Sequence, residues 1–274
     1  MITHEEFIKK YEFQKFDYYQ KNGWLYILNF TDLHGTKIKE LPSKIKFTKK
    51  CNNIILDNII EIPSNVIFNN LGDIYFYKIE KISENVIFNN SGNLSLGQLE
   101  QIDPTVKFIN NEDISFCDFV YKIPKGMIFN NKGSVYTANV KEISENVIFK
   151  NGRDLILGQL EKIDSSVKFI NKGDVSFYRF YVINKISKGT IFNNKGSVII
   201  SNNIKHISEN VIFNNERDVE FDNQEVAFSK GVCFNNKGEI KNVSLLKNAP
   251  KFLDPKKYLN KMIEQIYKQR NIIL

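Results

Sequence analysis

One phenylalanine recurs along the chain, at Phe47, Phe68, Phe88, Phe108, Phe129, Phe149, Phe169, Phe192, Phe213 and Phe234. The nine intervals are 21, 20, 20, 21, 20, 20, 23, 21 and 21 residues, and a near-fixed period of that size is the signature of a repeat architecture. Two residues before the Phe stands Val66, Val86, Val106, Met127, Val147, Val167, Val211 or Val232. Side chains two apart on an extended chain face the same way, so this pair predicts a short strand with an apolar inner side.

Six residues after the Phe comes a second aliphatic: Ile74, Leu94, Ile114, Val135, Leu155, Val175, Val198, Val219 or Ile240. Two positions further on the chain is usually apolar again, as at Phe76, Leu96, Phe116, Leu157, Phe177, Ile200 and Phe221, which predicts a second strand. The strands are joined by a corner of the type Asn-Asn-x-Gly-Asp, at Asn69 to Asp73, Asn89 to Asn93, Asn130 to Ser134 and Asn193 to Ser197. Asn and Gly there are expected to serve a positive φ. A second corner carries one inward aliphatic, Ile62, Ile82, Ile102, Ile123, Ile143, Ile163, Ile186 or Ile207, and leaves no room for a helix.

One such turn cannot bury its apolar side alone, whereas stacked turns share a continuous core. The predicted fold is therefore an all-β repeat: a two-sheeted parallel β-solenoid of about ten 20–21-residue turns with helical terminal caps. At the spacing of paired strands, ten turns make a rod roughly 48 Å long. The Asn two residues after the Phe (Asn70, Asn90, Asn110, Asn131, Asn151, Asn171, Asn194, Asn215, Asn236) is expected to cap corner backbone and to bond to its neighbours up the stack. A longer period overlies the short one. Ile82 to Phe88 returns as Ile143 to Phe149 and Ile207 to Phe213, and Gly97 to Glu100 returns as Gly158 to Glu161, so blocks of three turns have been duplicated.

The stretches Leu96-x-x-Leu99-x-x-Ile102 and Ile59-Ile60-Glu61-Ile62-Pro63 resemble the Leu-x-x-Leu-Pro phrasing of short bacterial leucine-rich repeats, over roughly Ile38 to Leu246. The chain departs from that family where Leu99, Val140 or Leu160 replaces the usual Asn, and in its second, Phe-bearing strand. The resemblance implies a protein-binding scaffold without a catalytic domain, and a curved, leucine-rich-repeat-like horseshoe as the alternative to a plain two-sheeted solenoid.

The ends do not follow the repeat. Residues 1–37 are expected to form an N-terminal cap, with a helix over about 3–15 opened by a Thr3/Glu6 capping box and a strand at Trp24 to Leu28. Residues 38–246 form the solenoid. In 247–274, Asp254-Pro255 starts a helix whose Tyr258, Leu259, Met262, Ile263, Ile266 and Tyr267 share one side, to close the stack or dock a partner.

The net charge of +7 is uneven. The first 50 residues hold 10 Lys against 6 acidic residues, the last 30 hold 7 basic against 2 acidic, and removing both leaves −2 for the repeats between. Lys78, Lys81, Lys122, Lys141 and Lys162 alternate with Glu80, Glu84, Glu142, Glu145 and Glu161, unlike a phosphate-tracking stripe. Nucleic-acid binding is thus confined to the basic ends, as a second expectation. Three scattered cysteines and three histidines supply neither a disulfide framework nor a metal centre, and no metal or other cofactor is expected. No apolar run is long enough to cross a bilayer, and the simplest expectation is a cytoplasmic protein with no membrane partner.

Candidate binding residues lie outside the core. Immediately before the repeated Phe stand Ile67, Ile87, Ile128, Ile148, Ile191 and Ile212, which point out of the rod if the strand alternates. A line of isoleucines suggests a face covered by another protein, a second copy of the chain included. A second surface is expected at Tyr75, Tyr77, Tyr136 and Tyr178 with Arg179, Phe180 and Tyr181, in the segment that accounts for the 23-residue interval. The leading expectation is a non-enzymatic protein-binding scaffold, in a narrower form an inhibitor or effector of a mobile element. A carbohydrate-active solenoid enzyme is the third expectation, resting on the aligned Asp73, Asp113, Asp154, Asp174 and Asp218, which corner-capping explains equally.

Overall fold

The computed structural model describes residues 2–11, 17–28, 30–34, 38–116, 122–137, 139–177, 185–201, 203–222 and 226–242. Its body is a parallel β-solenoid of about ten turns. The Phe strands, from Ile45–Phe47 to Cys233–Phe234, stack in register with Phe beside Phe; with the two strands of an N-terminal hairpin they make a 12-stranded sheet. The strands that follow the Asn corner, such as Ile74–Phe76 and Leu155–Leu157, build an 11-stranded sheet with parallel pairing.

The expected two-sheeted turn is corrected in one respect. What reads as a second corner is a third, two-residue strand, Glu61–Ile62 in one turn and Lys81–Ile82 in the next, so the rod has three sides. On this third side the sheet is broken into groups of three strands: 61 to 102, 122 to 163 and 185 to 228. The duplicated block of three turns is thus also a structural unit. The breaks fall next to residues 117–121 and 178–184, which lie outside the described residues.

Between the sheets the Phe rings form one stack. Successive rings from Phe47 to Phe234 lie with centroids 4.9 to 5.7 Å apart and planes within 13° of parallel. Parallel strands in register impose that spacing, and side-on rings of the facing sheet close the core: Phe76, Phe116 and Phe177 meet the stack edge to face. The repeated Phe is buried from Phe47 to Phe213 and half-buried at Phe234.

The corners also differ from expectation in their cause. The glycines of the Asn corner have no positive φ; a side chain on Gly72, Gly92, Gly173 or Gly196 would collide with the backbone of the preceding turn. Positive φ occurs instead at the corner leading into the Phe strand, at Asn65 (63°), Asn85 (58°), Gly126 (77°), Asn146 (58°), Gly189 (75°) and Asn210 (57°). Two turns solve that corner differently: Asp103 Oδ1 accepts from the backbone and hydroxyl of Thr105, and Asp164 Oδ1 does so from Ser166.

The first turn is covered by α1 (His4–Lys10), shorter than expected, whose Thr3/Glu6 capping box is present and whose Phe7 is buried. Next, β1 (Tyr18–Lys21) and β2 (Trp24–Ile27) form an antiparallel hairpin around Asn22 and Gly23, both at positive φ. Asn-Gly is the strongest two-residue hairpin signal, and β2 passes on to pair in parallel with Ile45–Phe47. The proposed helix over 247–274 lies outside the described residues.

Candidate functional site

The outer face of the 12-stranded sheet carries two rows of side chains, one before and one after the buried Phe. The row before it runs Tyr26, Lys46, Ile67, Ile87, Lys107, Ile128, Ile148, Lys168, Ile191, Ile212 and Cys233, in strand register. All six anticipated isoleucines therefore lie on one line, but a lysine interrupts them every third turn. Where Lys107 and Lys168 intrude, the isoleucine moves to the other side of the Phe, as Ile109 and Ile170, 38% and 37% exposed. The apolar band consequently sidesteps each lysine and continues with one Ile per turn from Ile67 to Ile212, over eight turns or roughly 34 Å. Ile128 at 50% and Ile191 at 39% are its most exposed members. Sequence reasoning missed Ile109 and Ile170; the signal was the pair of Lys-Phe-Ile triplets replacing Ile-Phe-Asn or Ile-Phe-Lys.

The anticipated tyrosines occupy the other long sheet. Tyr75 and Tyr136 share an outward row but are separated in it by Ser95 and Ser115. Tyr75 donates to Asp73 Oδ2 at 3.0 Å, and its ring lies 6.3 Å from that of the exposed Tyr77. Burial, then the hydrogen bond to Asp73, raises the Tyr75 hydroxyl above its ordinary pKa. The structure brings Tyr75 and Tyr77 together and leaves Tyr136 apart. Tyr178, Arg179, Phe180 and Tyr181 lie outside the described residues.

At the edge of the Ile face runs the Asn corner. Its inner amides bond in two ways. Asn70, Asn90, Asn131 and Asn236 donate to corner carbonyls such as those of Gly72, Gly92, Ser134 and Gly238. Between Asn151 and Asn215 the bonds instead run along the rod: Asn171 Oδ1 accepts from the Asn151 backbone, Asn194 Oδ1 from the Asn171 backbone and side chain, and Asn194 Nδ2 donates to Asn215 Oδ1. The corner aspartates tie each turn to the next, since Asp73, Asp113, Asp154, Asp174 and Asp218 each accept a backbone N–H of the following turn at 2.7 to 2.8 Å. One oxygen of every aligned carboxylate is thereby committed to the scaffold.

A groove of about 780 Å³ follows this corner from Ile109 to Lys237. Its floor is Asn131, Asn151, Asn171, Asn194 and Asn215, and its rim carries Lys132, Lys150, Lys172, Lys195 and Lys237 against Glu216. Lys237 lies 3.9 Å from Glu216, while Lys132, Lys150, Lys172 and Lys195 are exposed and make no ion pair with any described residue. The third side is the opposite case. There Lys81–Glu61 (2.7 Å), Lys122–Glu142 (3.0 Å), Lys162–Glu142 (3.4 Å) and Lys141–Glu161 (2.9 Å) pair across adjacent turns, as do Lys125–Glu145 (2.6 Å) and Lys188–Glu209 (2.7 Å) at its corner. Hydrogen bonds from these lysines hold the carboxyls of Glu61, Glu142 and Glu209 below their ordinary range.

Cys51, His4 and His206 are each held by a hydrogen bond. Burial pushes the Cys51 thiol up to about 11, and it donates to the Ile27 carbonyl at 3.4 Å. His4 bonds to the Ser43 carbonyl and His206 to the Ser229 hydroxyl. Among the described residues no group of three His, Cys, Asp or Glu is placed to hold a metal ion, and no helix is long and apolar enough to cross a membrane. The class defined by this fold is the parallel β-solenoid. No known family, curated protein or solved structure matches the chain.

Proposed function

We propose that the protein is a non-enzymatic scaffold that binds another protein on the outer face of its 12-stranded sheet. The observation that carries this reading is the band of one isoleucine per turn over eight turns, sidestepping each lysine, on the outer face of the 12-stranded sheet. Contiguous apolar surface of that extent marks interaction sites in soluble chains. The partner's chemistry follows from the rows themselves. Neither row contains a carboxylate, so a second copy of this face offers nothing to Lys46, Lys107 and Lys168. A partner with an apolar ridge flanked by acidic groups about 14 Å apart, the rise of three turns, meets both. The likeness to leucine-rich-repeat scaffolds supports the same reading.

The test is affinity capture from the native host with wild type and with Ile128→Ser/Ile148→Ser/Ile191→Ser, combined with light scattering. Wild type is expected to be monomeric and to retain an acidic partner that the variant releases. A wild-type dimer that the substitutions dissociate would reassign the face to self-association. A monomer from which the substitutions remove no partner would sink the proposal.

A further inference from the structure

The same face continues onto the Asn corner, where Ile109 and Ile170 of the apolar band also line the groove. We propose that this groove binds a linear anionic polysaccharide, laid along the rod with its acidic groups on Lys132, Lys150, Lys172 and Lys195. The first argument is charge. These four lysines come from four successive turns and have no anionic partner among the described residues, while the third side neutralises its lysines turn by turn. The net −2 of the repeats therefore conceals one edge with a cation on each of four successive turns, rising roughly 4.8 Å per turn. Lys132, Lys172 and Lys195 stand three residues after the Phe and Lys150 directly after it, with Asp154, Asp174 and Glu216 beside Lys172 and Lys195. The rise per turn suits a polymer charged at every unit or every second unit.

The second argument is what stands between the charges. Asn130 and Asn193 on the rim are exposed and make no side-chain hydrogen bond with any described residue, so their amides can donate to and accept from hydroxyls. The third is what the groove lacks. Among the described residues its lining holds no aromatic side chain, and single-stranded nucleic acid is held largely by stacking on such rings. The backbone donors of the corner are consumed by the neighbouring turn, as in Asn130 N to Phe108 O, Lys132 N to Asn110 O and Lys150 N to Phe129 O. An acidic peptide cannot add there as a strand. Hydroxyl-bearing rings with regularly placed carboxylates fit all three conditions.

Affinity electrophoresis in gels containing polygalacturonate tests this, with dextran as the neutral probe and poly(dT) and polyglutamate as the other anions. Two variants of equal charge change separate the groove from general electrostatics: Lys132→Gln/Lys150→Gln/Lys172→Gln/Lys195→Gln, and Lys81→Gln/Lys122→Gln/Lys162→Gln/Lys188→Gln on the third side. Polygalacturonate is expected to retard wild type more than any other probe, and the groove variant to lose about tenfold or more in affinity. The third-side variant keeps its retardation, and circular dichroism of the groove variant stays that of wild type. Equal losses in the two variants, or stronger retardation by poly(dT) or polyglutamate, would overturn the proposal.

Discussion

The Asn corner and the Lys/Glu third side are cut from the same turns, yet they solve opposite problems. The Asn corner is crowded: glycines admit the backbone of the preceding turn, and amides and aspartates bond to groups that meet there, while the buried Asn110 and Asn151 side-chain amides make no hydrogen bond among the described residues. The third side is open: two-residue strands carry exposed charges that pair across turns, and its corner into the Phe strand uses residues at positive φ. At the Asn corner amides, aspartates and the Arg153–Glu112 pair tie the turns together, and Lys132, Lys150, Lys172 and Lys195 take no part in these bonds among the described residues. On the third side the lysines are themselves part of the lattice. Counting charges cannot separate the two cases, because what distinguishes them is the register of neighbouring turns.

The largest effect that would sharpen this contrast is expected from Asn194→Ala. Asn194 Oδ1 accepts from both the backbone and the side chain of Asn171, and its Nδ2 donates to Asn215. Removing it strands buried polar groups, and urea denaturation should show a loss of about 3 kcal/mol. A loss under about 1 kcal/mol would mean the amide ladder is decoration.

An intermediate effect separates the two kinds of special backbone. Gly173→Ala inserts a methyl group against Arg153 and Asp154 of the preceding turn and should cost about 2 kcal/mol. Asn146→Ala, at φ 58° with open surroundings, should cost about 1 kcal/mol. The reverse order in thermal unfolding would contradict the assignment of crowding to one corner and strain to the other.

The smallest effect belongs to the exposed lattice. Glu142 lies between Lys122 and Lys162, and their hydrogen bonds depress its pKa. Such a carboxylate stabilises the fold above its unfolded pKa, and the contribution is lost as pH falls through the lower folded value. Glu142→Gln should therefore cost under about 1 kcal/mol at neutral pH. The gap between variant and wild type should close as melting curves are taken from pH about 7 to below about 4. A gap that widens on acidification would exclude the pairing as its source.

Much of the architecture is legible in the sequence because it is written in large apolar residues. The Phe period, the flanking Val and the second strand place ten turns in register without further information. The third strand is harder to see, since Glu61–Ile62 and Lys81–Ile82 contribute one inward side chain each and a period of two needs at least a pair. Gly72 and Gly173 look the same whether a turn needs positive φ or space, and only neighbouring coordinates decide it. The Asn22-Gly23 hairpin is readable from its dipeptide alone, outside the repeat. Of the candidate site, the six isoleucines before the Phe could be read directly. The detour through Ile109 and Ile170, and the isolation of Lys132, Lys150, Lys172 and Lys195, depend on which residues of adjacent turns touch.

The parallel stacking of turns has a mechanical consequence. Hydrogen bonds such as Asn89 N to Phe68 O run from turn to turn along the rod, so every interface carries the whole tension applied between its ends and the weakest gives way first. Under load the rod should unreel from an end in steps, each 20-residue coil giving up roughly 70 Å of slack for 4.8 Å of height. Such a body resists bending and compression yet yields gradually to extension, as a spring does and a compact domain does not.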